Sequence, residues 1–107
     1  MSPSEFTEAG TWGGRPVARR IAAVTPRARV VVQGSVVAVD SRSGPGGSRY
    51  ECTLDDGSGQ LVLVFLGRRE VAGLMVGTRC AAEGTALIEH GRLVVWNPLY
   101  RIDLVGG

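Results

Sequence analysis

The chain has 107 residues, 44% of them hydrophobic, which suits one compact domain with a modest core and leaves no room for a second. No run of about 18 apolar residues occurs, so no membrane span is expected, and the opening MSPSEFTEAG lacks the basic and apolar regions of a signal peptide, so a cytoplasmic protein is expected. Net charge is only +2, but residues 1–49 hold seven Arg against three acids whereas residues 50–107 hold five Arg against seven acids.

All twelve basic residues are Arg, which points to a high-GC bacterial genome. Every cation is therefore a planar fork able to grip a phosphate bidentately or stack on a base. Residues 1–14, rich in Gly, Ser, Thr and Glu, read as a flexible N-terminal tail. Residues 15–28 form a basic lead-in, a short turn of helix or an extended segment ended by Pro26. Arg15, Arg19, Arg20, Arg27 and Arg29 follow one another with no acid between them, either as a solvated face or as an arm that contacts phosphates.

From Arg29 the pattern has period two. RVVVQGSVVAVD, 29–40, reads as a long strand in which Gly34 marks a bulge or sharp bend. SRSGPGGSR, 41–49, reads as a loop. YECTLD, 50–55, alternates apolar and polar residues, DGSG, 56–59, is a tight turn, and QLVLVFL, 60–66, is the returning strand. GRREVAGLMVG, 67–77, is expected to be a short helix or turn whose Val71, Leu74 and Met75 cap a barrel end. TRCAAEGTALIEH, 78–90, is a fourth strand with an internal Gly84, and HGR turns it into LVVWN, the fifth. Inward alternation assigns Val30, Val32, Val36, Cys52, Leu54, Leu61, Leu63 and Phe65 to the core, and leaves Gln33, Ser35, Glu51, Thr53, Val62 and Val64 outside. Cys52 and Cys80 lie singly in apolar runs and read as reduced core residues, with no metal-ligand spacing near them.

The fold class is thus all-β: a five-stranded Greek-key OB-fold barrel over 29–104 with a short helix between strands 3 and 4, the pattern alone also admitting an SH3-like barrel. Three pieces of sequence narrow the choice: V-x-G-x-V at Val32, Gly34 and Val36, the D-G-S-G turn before LVLVFLG, and the ending GRLVVWNPLY. Together they resemble the wedge (OB) domain of the RecG branched-DNA helicase and, more loosely, the anticodon-binding OB domains of tRNA synthetases. The resemblance spans about residues 20–104 and excludes the helicase motors, because a phosphate loop needs a Lys that the chain lacks.

That resemblance implies a nucleic-acid-binding protein, DNA favoured over RNA, single-stranded or branched. OB-folds bind on the outer face of strands 2 and 3, between the loops joining strands 1 to 2 and 4 to 5. Arg42 and Arg49 on the first loop, His90 and Arg92 on the second, and Thr53 on the face are the expected ligand contacts, with Arg19, Arg20 and Arg27 on the lead-in. The face carries no aromatic residue of its own, so Trp96, placed outward beside Val94, is the stacking candidate, and contacts to the phosphate backbone with little base specificity are expected. Loop 41–49 has no aromatic residue either, which puts strand separation in doubt. In WNPLY, Pro98 stops the ladder, Asn97 bonds local backbone and Tyr100 plugs the barrel end. The alternative function is protein docking or self-association through an apolar patch of Val31, Val37, Val62, Val64 and Trp96. No catalytic arrangement, cofactor site or metal site is expected.

Overall fold

Five strands close the barrel in the computed structural model, which describes residues 17–103. They are β2 (Arg29–Gly44), β3 (Gly47–Asp55), β4 (Gln60–Leu66), β5 (Arg79–Glu89) and β6 (Arg92–Trp96). β2 pairs antiparallel with β3 through its second half and with β5 through its first, β3 pairs antiparallel with β4, and β5 with β6. The parallel pairing of β4 with β6 closes the ring, which is the OB-fold topology. Two short strands lie on its flanks: β1 (Val17–Ala18), parallel to β2, and β7 (Leu99–Ile102), antiparallel to β5. The expected tail 1–14, together with Arg15 and residue 104, lies outside the described residues.

The alternating residues chosen from the sequence do form the core: Val30, Val32, Val36, Cys52, Leu54, Leu61, Leu63 and Phe65 are all buried in one cluster. Each such side chain withdrawn from water stabilises by about 1.5–3 kcal/mol. The barrel ends are plugged from outside the strands. Ile21, in a 3-10 turn over Ile21–Ala23, is buried, and its N–H donates to Asp56 Oδ2 at 2.9 Å. Val71 and Leu74 are buried as expected, whereas Met75 is exposed. The Tyr50 hydroxyl donates to the Leu74 carbonyl at 2.8 Å, and Tyr100 packs edge-on against Phe65 with its hydroxyl donating to the Ala72 carbonyl. Both cysteines are unbridged and buried, and burial pushes their thiols up to about 12 for Cys52 and about 11 for Cys80.

Several expectations give way to the structure. Residues 41–49 are no loop: β2 runs on to Gly44 and β3 starts at Gly47, with only Pro45 and Gly46 turning the chain and Gly47 at φ 99°. The strands pair there although both faces meet water, so the polar residues carried no alternation to read. Segment 67–77 holds turns and no helix, punctuated by left-handed Gly67, Gly73 and Gly77. The bulge in β2 falls between Val36 and Ala38, not at Gly34. Gly34 is instead a close approach, since a Cβ there would sit 2.8 Å from the Asp55 carbonyl oxygen. Asn97 bonds β4 rather than local backbone: its N–H donates to the Val64 carbonyl and its Oδ1 accepts from Leu66 N–H at 2.9 Å.

Candidate nucleic-acid interface

The bulge after Val36 sets up the outer face. A single extra residue shifts the phase of β2 by one, so Ala38, Asp40 and Arg42 pair with Thr53, Glu51 and Arg49 of β3. β3 in turn sets Arg49, Glu51 and Thr53 opposite Leu66, Val64 and Val62 of β4, and Val64 is in register with Trp96 of β6. Glu51, Val64 and Trp96 therefore lie in one row across three strands.

That row is covered, which the sequence did not predict. Val62, Val64 and Val94 form a second buried cluster with Trp96 packed against them. Trp96 is half-buried, its Nε1–H donating to Glu89 Oε2 at 2.7 Å, and the Arg49 guanidinium lies over the indole at 5.1 Å from the ring centre. Glu51, expected on the open face, is buried between two cations: Arg49 Nη2 at 3.0 Å and Arg92 Nη1 at 3.6 Å. The carboxylate thus orients both guanidiniums while offsetting one of their two charges. A guanidinium has five N–H donors, so each keeps donors for an incoming anion.

Arg92 reaches this position because Glu89 and Arg92 pair across a two-residue hairpin. His90 (φ 53°) and Gly91 (φ 76°) both adopt the left-handed conformation that a tight primed turn demands. Beside Arg92 opens a cleft of about 430 Å³ lined by Thr53, Gln60, Val62, Ile88, Arg92 and Leu93. Of the residues singled out from sequence, Arg92 and Thr53 line this cleft, Arg49 and Trp96 adjoin it through Glu51 and the Arg49–Trp96 contact, and His90 stands exposed at the adjacent hairpin tip. Arg42 does not join them: it is exposed and hydrogen-bonded to Asp40 at 2.8 Å, a bond that raises its pKa.

The lead-in arginines lie elsewhere. Arg19 and Arg20 are exposed on a separate cavity of about 330 Å³ that also touches Val31, Gln33 and Asp56. Arg27 is exposed with φ 74°, its N–H donating to the Ala86 carbonyl. Asp56 anchors this end of the barrel. Burial opposes its charge, but hydrogen bonds from Ser58, Ile21 and Gly59 outweigh that and hold its pKa down at about 2. The apolar patch expected for docking is not formed, because Val31, Val62 and Val64 are buried and only Val37 of the four valines is exposed. Gln60, Ile88 and Leu93 escaped the sequence reading. A cross-strand view of the β5–β6 hairpin would have found the last two, since Ile88 and Leu93 are partners in register.

No protein-family model matches the chain, and no curated protein matches its sequence. Solved structures do. The OB domain of Ta0387 from Thermoplasma acidophilum superposes with a TM-score of 0.66 at 14% identity, covering 85% of this chain and 91% of that one. The fold is an OB-fold. RecG bound to a three-way DNA junction matches at TM-score 0.67 and 16% identity, with 98% of this chain aligned to 17% of RecG. Asparaginyl-tRNA synthetase from Entamoeba histolytica matches at TM-score 0.61 and 17% identity over 81% of this chain and 23% of that one. The likeness to RecG and to tRNA-synthetase OB domains is therefore one of fold. No helix among the described residues is long and apolar enough to cross a membrane.

Proposed function

We propose that this chain is a non-enzymatic nucleic-acid-binding protein, with single-stranded or branched DNA as its preferred ligand, which it holds chiefly by the phosphate backbone. The observation that carries this reading is the Arg49–Glu51–Arg92 arrangement beside the Thr53 cleft. Two guanidiniums are held in place by one buried carboxylate, so little side-chain entropy is lost when they meet phosphate. The hydroxyl of Thr53 and the amide of Gln60 add neutral hydrogen-bonding groups in the same cleft. With Arg49 over Trp96, a base stacks on the guanidinium or displaces it, so direct ring stacking contributes less than on an open aromatic platform. Low base specificity across the cleft follows. Preference for DNA is supported by the neighbouring fold of RecG in its junction complex.

Fluorescence polarisation against labelled single-stranded, duplex and forked DNA and a matched RNA, at low and near-physiological salt, tests this. Salt-sensitive binding is expected, strongest to one of the DNA forms. Arg49→Ala and Arg92→Ala should each weaken binding across sequences and flatten the plot of log affinity against log salt by about 0.7–0.9. Absence of binding to every probe at low salt would refute the proposal.

A further inference from the structure

Half-way along its length β2 loses a neighbour. β5 accompanies it only from Arg29 to Ser35, and Val36 closes that side, its N–H donating to the Thr78 carbonyl and its carbonyl accepting from Gly77 N–H. From Val37 to Gly44 the strand pairs with β3 alone, and among the described residues no backbone hydrogen bond is made on its other side. All of these residues are exposed. Such an edge is a row of unpaired donors and acceptors able to take a further strand. Exposed Val37 and Val39 lie on it, and exposed Met75 and Val76 directly precede the Gly77 that bonds Val36. The charges on this edge are poorly served within one chain. β3 sets Glu51 opposite Asp40 and Arg49 opposite Arg42, like against like, which weakens a ladder.

We infer that this free edge of β2 pairs antiparallel with the same edge of a second copy of the chain, about a two-fold axis at Ser41. The inference is independent of the nucleic-acid reading. An isologous antiparallel pair sets residues of equal parity opposite each other on one face of the sheet. With the axis at Ser41, Asp40 meets the second copy's Arg42 and Arg42 meets its Asp40, so the opposite charges missing from the β2–β3 ladder are supplied from the other side. Ala38 then lies against Gly44, and Val37 against the turn at Pro45. An axis at residue 40 or 42 would instead set Asp40 or Arg42 against its own copy, and an axis at 39 or 43 would give neither charge an opposite one. The contact is one strand edge with few side chains, at the small end of specific interfaces, so the pair is reversible, with a dissociation constant on the order of 0.1 mM. In dilute solution the chain is a single copy, and thermal unfolding there reports the barrel alone.

Sedimentation velocity of the purified chain without nucleic acid, from micromolar to millimolar concentration, tests this. The sedimentation coefficient of the unmodified protein should climb from that of one copy towards that of two. Asp40→Arg and Arg42→Asp each put like charges across the axis and should hold the chain at one copy throughout. Both positions are exposed, and each change sets an opposite charge against Glu51 or Arg49 in the same chain, so the fold is kept. An equimolar mixture of the two variants restores complementary charges and should associate roughly tenfold more tightly than either variant alone. An unmodified chain that sediments as one copy up to millimolar concentration would overturn the proposal. Variants that associate as the unmodified chain does would place the contact elsewhere and overturn it as well, and so would a mixture that stays apart. Each of these results leaves the nucleic-acid reading untouched.

Discussion

Glu51 and Glu83 are the buried carboxylates of the barrel's described outer face, and their surroundings differ. Glu51 has guanidinium nitrogens at 3.0 and 3.6 Å and accounts for its own burial. Glu83 has one guanidinium nitrogen at 4.0 Å and no hydrogen bond among the described residues, and burial raises its pKa despite the opposing pull of Arg29. Burial of a charge is therefore not one phenomenon. At Glu51 it fixes two cations in place; at Glu83 it leaves acceptor capacity unused.

The strongest way to break the contrast is to delete each carboxylate. Glu51→Ala leaves two partly buried guanidiniums facing each other and should lower stability by about 1–3 kcal/mol in urea unfolding. Glu83→Leu removes an unsatisfied group and should leave stability unchanged or raise it by about 1–2 kcal/mol. A comparable loss in both variants would erase the distinction. Binding sharpens it in the other direction: Glu51→Gln frees a charge on the arginine pair and should steepen the salt dependence of oligonucleotide affinity.

Acid titration gives a smaller effect of opposite sign at two sites. The pKa of Asp56, held at about 2, is depressed, so its stabilisation is present above the ordinary carboxylate range and lost as pH falls through about 2. The pKa of Glu83 is raised, so its contribution is present below the ordinary range and lost as pH rises above it. Asp56→Asn should flatten the acid limb of a stability-against-pH curve measured by thermal unfolding, and Glu83→Gln should remove the gain seen on mild acidification. Smallest of all is Arg42→Ala: its pair with Asp40 is exposed and screened by solvent, so the thermal-unfolding midpoint should stay unchanged.

How far the sequence could be read depended on whether one face of a strand was dry. Val30, Val32, Val36, Leu54, Leu61 and Leu63 alternate against solvent-side residues, and the pleat translates that directly into an interior. The tip of the β2–β3 hairpin is wet on both faces and so looked like a loop. QLVLVFL failed in the opposite way: an uninterrupted apolar run signals a strand covered on both sides, yet Val62 and Val64 were assigned to the surface. What covers them, Trp96 with Arg49 over it, comes from β6 and β3, and no local pattern encodes such a contact. Arg49, Arg92, Trp96 and Thr53 were found as residue types at plausible places. The buried acid that organises the arginines was not, because a lone Glu on an alternating strand reads as solvated. β7 was hidden by Pro98, which ends β6 but leaves Leu99–Ile102 free to pair with β5.

The β2–β5 seam also sets the speed of self-assembly. Residue 30 finds residue 84 there, while the β3–β4 and β5–β6 ribbons join near neighbours through tight turns. Ribbons of that kind form in about 1–10 μs, whereas closing a barrel across about half of the chain's length places two-state folding in about the millisecond-to-second range. The last event is then the arrival of β5 against β2, and until it happens the row of valines in β2 has no partner on that side.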